Sequence, residues 1–308
     1  MPLTKRIKKK QCDFIKEFAL LLLVLLLFQS AQSATYTSVA NGNWDADATW
    51  SGTGIPGAGD AVVIEAGKTV TVNVANAACN TLTIGNGGLF AGNGTLIFNA
   101  SSQLTVSGAM SIGALFNSGS VDMTNGGTFI CGSWSLGFSG AGSFTYGTGT
   151  VKFTGTFTLP NDGNFNQFYN LEIVSGTTSL GTPITVYGNL AMSNTGILDA
   201  NGNDIILNGN WTQSGTASFT EGTRTVTFNG TTDQYINHTG TETFAYLVVD
   251  KSSGQLLLNS GSLSITNLMT INNGTVNLGT QTLSGTGGLT MNGGDLQIGQ
   301  LSSVCSCT

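Results

Sequence analysis

The sequence predicts an all-β protein: a right-handed parallel β-helix, or β-solenoid, built from super-repeats of about 77 residues that each hold three to four coils. Three observations predict it. Short runs alternate apolar and polar residues, as in Lys68-Thr69-Val70-Thr71-Val72-Asn73-Val74, where the three valines share one side of a strand. Gly-Asn, Asn-Gly and Gly-Gly steps separate these runs, and such steps turn sharply at little steric cost. The chain also repeats itself. Gly132-Ser133-Trp134 aligns with Gly209-Asn210-Trp211, 77 residues later, and Gly119-Ser120-Val121-Asp122 aligns with Gly196-Ile197-Leu198-Asp199 at the same offset. Further on, Thr150-Val151-Lys152-Phe153 answers Thr225-Val226-Thr227-Phe228, and Phe168 to Ile173 answers Phe244 to Val249.

The strand count favours a solenoid over other all-β folds. Roughly 25 short strands at about nine-residue spacing are too many for one sandwich or small barrel. Coils of about 20 to 25 residues would number ten or eleven, rising ~4.8 Å each and burying one continuous apolar column. A string of small β-sandwiches is the competing arrangement, since it shares the same turn spacing.

Residues 1–33 read as an export signal. Lys5, Arg6, Lys8, Lys9 and Lys10 form a basic head, Phe18 to Phe28 an apolar run, and Gln29 to Ser33 a small-residue cleavage region, with the cut near Ser33. The eleven apolar residues fall short of the ~20 that a membrane-spanning helix needs. The expected mature chain is secreted or held at the cell surface, with no transmembrane segment. It keeps only Lys68, Lys152, Arg224 and Lys251 against 14 acids, a net charge of −10. Four scattered cations offer no groove for nucleic acid.

Residues 34–74 read as an amino-terminal cap and first coil. Trp44 and Trp50 stand before the turn Gly54-Ile55-Pro56-Gly57 and the strand Asp60 to Ile64. Two tryptophans there suit a lid over the open end of a solenoid, which unpaired strand edges require. A sugar-stacking platform is the alternative role for the pair. Residues 75–298 read as the solenoid repeats and 299–308 as a tail.

The pattern Asn43-Trp44, Thr49-Trp50, Pro56, Gly59-Asp60, Val63-Ile64 and Gly67 to Val72 resembles the opening of secreted β-strand-repeat surface and adhesin-like proteins of Bacteroidetes-type bacteria. It is more distantly similar to the eight-glycine domain of extracellular β-helical proteins. Gly209-Asn210-Trp211-Thr212, Gly222 to Gly230 and Tyr246 to Val249 are similar to the repeats of the same bacterial proteins. The resemblance implies a secreted β-helical surface or matrix protein. The chain is shorter than the larger members and shows no carboxy-terminal sorting domain.

Motifs for chemistry are sparse. The acids are spread thinly, whereas glycoside hydrolysis needs paired carboxylates. Asp199, Asn201 and Asn203 begin like a calcium loop without its glycine and terminal glutamate, so an Asx turn is the plainer reading. Asp122 and Asn277 take the same place in the flanking copies. His238 has no legible nucleophile or carboxylate partner. No catalytic, cofactor or metal residues are assigned, and no cofactor is expected. Cys79 and Cys131 lie 52 residues apart, about two coils, which argues against a bond between them. Cys305 and Cys307 are candidates for a local disulfide or a cross-link.

The expected function is therefore non-enzymatic: an exported structural or adhesive solenoid of the cell surface or matrix. Its expected partners are a second copy, stacked end to end through Gly287 to Asn292, or cell-surface glycans. A carbohydrate-binding module is the alternative reading, and a polysaccharide lyase or hydrolase the third.

Overall fold

The computed structural model describes residues 33–87, 91–113, 117–137 and 142–298. The chain divides into two units, Met1–Ala34 and Thr35–Thr308. Apart from Ser33 and Ala34 the first unit lies outside the described residues, and so does the tail with Cys305 and Cys307.

The second unit is a parallel β-solenoid of about 11 turns. Three strands make each coil, and each strand pairs in parallel with its counterpart one coil away. Face I stacks Tyr36, Val62, Leu82, Met110 and Trp134 in one inward column. Face II stacks Ala77, Leu104, Phe129, Val151, Leu171, Leu190, Trp211 and Ile236. Face III runs through Val70, Leu96, Val121 and Phe144. Later in the chain its place in the coil is taken by Phe168, Val186, Leu207, Phe228 and Val249. Along the chain the faces follow in the order III, II, I, as in Ile184–Val186, Leu190–Met192 and Ile197–Asp199. Other than a single antiparallel bridge between Ser38 and Trp50 and a 3-10 turn at Asp47–Thr49, the described strand ladders are parallel.

Alternation explains why these segments become strands. In Thr69–Val72 and Thr225–Phe228 every second side chain is buried, so one side of each strand enters the column and the other meets solvent. Apart from the buried Thr178 on face I, the columns named here are apolar, which removes large areas from water and supplies most of the stability. Polar ladders pin the corners. The Asn189 backbone N–H donates to Asn170 Oδ1, that of Asn210 to Asn189 Oδ1, and that of Tyr235 to Asn210 Oδ1, at 2.8–2.9 Å.

The 77-residue duplication holds three full coils and two strands of a fourth. From Trp134 on face I the chain passes Phe157, Thr178 and Leu198, then crosses face III at Ile205–Leu207 and reaches Trp211 on face II. The two aligned tryptophans therefore fill different columns. The same shift moves Val121 on face III onto Leu198, and Val151 on face II onto Val226 on face III. The repeat is a repeat of strands rather than of coils. All three faces need the same inward alternation, so a copy displaced by two strands packs as well as one in phase.

Both cap tryptophans are buried, Trp44 at 1% and Trp50 at 3% exposure. Their rings meet edge to face with centroids 5.2 Å apart, and Trp50 Nε1–H donates to the Trp44 carbonyl at 2.9 Å. Neither ring keeps a free face on which a sugar could lie.

Candidate functional site

The loops behave as turns. Asp199 Oδ1 accepts the Asn201 N–H at 2.9 Å, Asp122 Oδ1 that of Thr124 at 2.8 Å, and Asn277 Oδ1 that of Gly279 at 2.9 Å. The three positions that align in sequence thus make the same Asx turn, although they stand on different faces. Asp199 Oδ2 is occupied by the Ser179 hydroxyl, and Asn201 and Asn203 both donate to the Leu180 carbonyl. Among the described residues, no three His, Cys, Asp or Glu side chains gather as metal ligands would. Cys79 and Cys131 both pair across Val106, two coils apart in one column, and both are buried free thiols. Burial, with Asp60 adding to it, pushes the Cys79 thiol up to about 12.

The densest polar cluster lies where one corner is lengthened. Between faces III and II the chain normally takes a short step, from Leu207 through Gly209 to Trp211. In the next coil, Phe228 is followed only at Ile236 by the partner of Trp211. The extra residues leave main-chain carbonyls without ladder partners, and buried carbonyls must be satisfied. Lys251 does this from the coil that follows. Its Nζ donates to the Gly230 carbonyl at 2.6 Å, the Thr232 carbonyl at 2.9 Å and Gln234 Oε1 at 2.7 Å, with the residue 1% exposed. Gln234 Nε2 in turn donates to the Leu207 and Gly209 carbonyls, and Gln234 Oε1 also accepts the Gly230 N–H. Burial lowers the Lys251 ammonium to about 8, against the raising effect of Asp233.

A second cluster forms around Glu242. Its carboxylate accepts Trp211 Nε1–H at 2.9 Å and the Thr243 N–H at 3.2 Å. Burial raises this carboxyl to about 7, outweighing those two hydrogen bonds, and the charge of Glu221 adds to the rise. His238 is buried below it. Its Nε2 lies 2.9 Å from the Glu242 backbone N–H and 2.8 Å from the Ser262 carbonyl. Gly261 has φ +82°, and a Cβ there would strike the His238 ring, so only glycine lets the next coil pass over it. Sequence reasoning counted Lys251 only among four scattered cations and did not single out Glu242. The only hint was their position inside alternating apolar runs.

Exposed chemistry is modest. Lys152 and Glu172, partners in the ladder, form a 2.8 Å ion pair on the outer side. Burial alone would raise Glu172, but hydrogen bonds from Lys152 and Ser193 and the Lys152 charge hold it below its ordinary value. A cleft of about 180 Å³ lined by Asn93, Ser118, Gly119, Gly142 and Ser143 falls below the ~300 Å³ of ordinary ligand pockets. Tyr146, Tyr169 and Tyr187 cluster at the corner between faces III and II, where Tyr146 and Tyr187 stack at 4.8 Å. No helix among the described residues is long and apolar enough to cross a membrane. No curated protein and no solved structure matches the chain. Residues 49–160, from the cap through the first coils, match the family model of the G8 domain.

Proposed function

We propose that the chain is an exported, non-enzymatic structural protein of the cell surface or extracellular matrix, adhesive through its polar outer face and associating with copies of itself end to end. One observation carries the reading: the chemistry-bearing side chains of the interior are consumed in holding coils together. All three Lys251 donors are engaged by acceptors, and His238 and Glu242 bind main chain and an indole N–H. A G8 match over residues 49–160 suits an extracellular solenoid.

End-to-end association draws on the last described coil. Gly288–Met291 and Asp295–Gln297 pair with the coil below, while Leu283, Leu289 and Leu296 only partly enter the core and Met291 and Ile298 are exposed. Parallel edges with apolar side chains recruit further strands.

Expression of the full chain in a bacterial host tests the reading. Fractionation is expected to place the processed protein outside the cytoplasm, and electron microscopy to show rods that lengthen with concentration. Sedimentation should give a concentration-dependent mass that falls to monomer on deletion of residues 287–308. A cytoplasmic, unprocessed product would sink the export reading. A mass that stays monomeric in both forms would sink the association.

A further inference from the structure

With Trp44 and Trp50 buried, the most exposed aromatic rings among the described residues are those of Tyr169 and Tyr187, at one outer corner. Phe168 pairs with Val186, so Tyr169 and Tyr187, which follow them, are neighbours on successive coils. The Tyr187 N–H donates to the Phe168 carbonyl at 2.8 Å, which fixes that register. Tyr146 reaches over from two coils before Tyr187, past the coil that carries Tyr169. Its ring lies 4.8 Å from that of Tyr187 at an interplanar angle of 14°. Tyr169 is 37% and Tyr187 38% exposed, large values for rings on a sheet whose other aromatics are mostly buried. The Tyr187 hydroxyl donates to Gln167 Oε1 at 3.4 Å, so an exposed carboxamide borders the rings.

We propose that Tyr146, Tyr169 and Tyr187 form a stacking platform for a neutral polysaccharide. Aromatic rings with one wet face and a polar tip accept the apolar C–H face of a pyranose, while the phenol and carboxamide groups hydrogen-bond its hydroxyls. Charge selects the class of glycan. Residues 34–308 carry a net charge of −10, which repels uronate and sulfated chains, and the one ion pair near face II is internally neutral. Rigid parallel strands hold the rings in place before binding, so little ordering is needed to engage an extended chain. The platform ends where the next coil puts Asn208, which follows Leu207 as Tyr187 follows Val186. This deepens the surface-protein reading and rests on it.

Native gel electrophoresis through hydroxyethyl cellulose, xyloglucan or polygalacturonate tests the platform with the full chain. At least one neutral polymer should retard the protein, and polygalacturonate should not. Tyr187→Asn, which installs the residue that the next coil carries in that row, should weaken retardation about tenfold, the upper end of what one aromatic contact contributes. Tyr146→Ala should act in the same direction, with far-ultraviolet circular dichroism and thermal transition unchanged in both. No retardation by either neutral polymer, retardation undiminished in both variants, or retardation by polygalacturonate alone would overturn the proposal. Each of those results leaves the fractionation outcome untouched, so the two readings fail separately.

Discussion

The Nζ of Lys251 lies 2.7 Å from Oε1 of Gln234 in the solenoid core, and the two side chains together satisfy carbonyls on two successive coils. A buried amine without a carboxylate partner normally destabilises a fold. Here its three donors are matched by three acceptors that a lengthened corner would otherwise leave bare.

Lys251→Ala is expected to cost roughly 3 kcal/mol or more, since it strips partners from two buried carbonyls and a carboxamide. Hydrogen exchange at residues 228–236 reports the loss locally. That matters because a stack of coils need not unfold in one step. Exchange unchanged from the parent chain would show that the cage contributes nothing.

Stability should depend on pH through the two buried groups, in opposite senses. Glu242 is raised in the folded state to about 7 from 4.5, so the folded chain holds more protons between those values. Its contribution is fully present below about pH 4.5, and it is lost as pH rises through about 7, a swing of roughly 3 kcal/mol at most. Lys251 is lowered to about 8 from 10.5, so its contribution is present above about 10.5 and is lost as pH falls through about 8. Urea midpoints measured across pH should therefore be lowest near pH 7 to 8. Glu242→Gln should flatten the acid limb, and Lys251→Met the alkaline one.

The cap should behave as a buried lid. Trp44→Ala removes a ring packed against Trp50 and is expected to destabilise the first coils by about 3 to 5 kcal/mol. Limited proteolysis should then cut ahead of residue 75 while the later coils stay intact. Uniform resistance would refute a capping role.

Cys79 and Cys131 should resist alkylation in the folded chain and react on unfolding. Burial suppresses the Cys79 thiolate, and both thiols lie in a closed column. Rapid labelling under native conditions would contradict their placement two coils apart across Val106.

Asn189→Ala should loosen the corner ladder, because Asn189 links Asn170 to Asn210 through one donor and one acceptor. The expected loss is about 1 kcal/mol, read as faster exchange of the Asn210 amide. An unaffected amide would mean that the strand ladder alone sets this corner.

By itself the sequence determined the alternation of Thr69–Val72 and Thr225–Phe228, the turns at Asp122, Asp199 and Asn277, and hence a stack of parallel coils. These are local properties: a period of two and a side chain that bonds two residues ahead can be recognised without knowing what lies above or below. Only the tertiary structure decided which face each strand occupies. Trp134 and Trp211 align without a gap yet stand on faces I and II, because register depends on the summed lengths of the intervening corners and an apolar column accepts either phase. The same summation buries Lys251 over the lengthened corner at Gly230 and brings Tyr146 onto Tyr187. Contacts between coils join residues about 20 apart, and no pattern within a single strand records them.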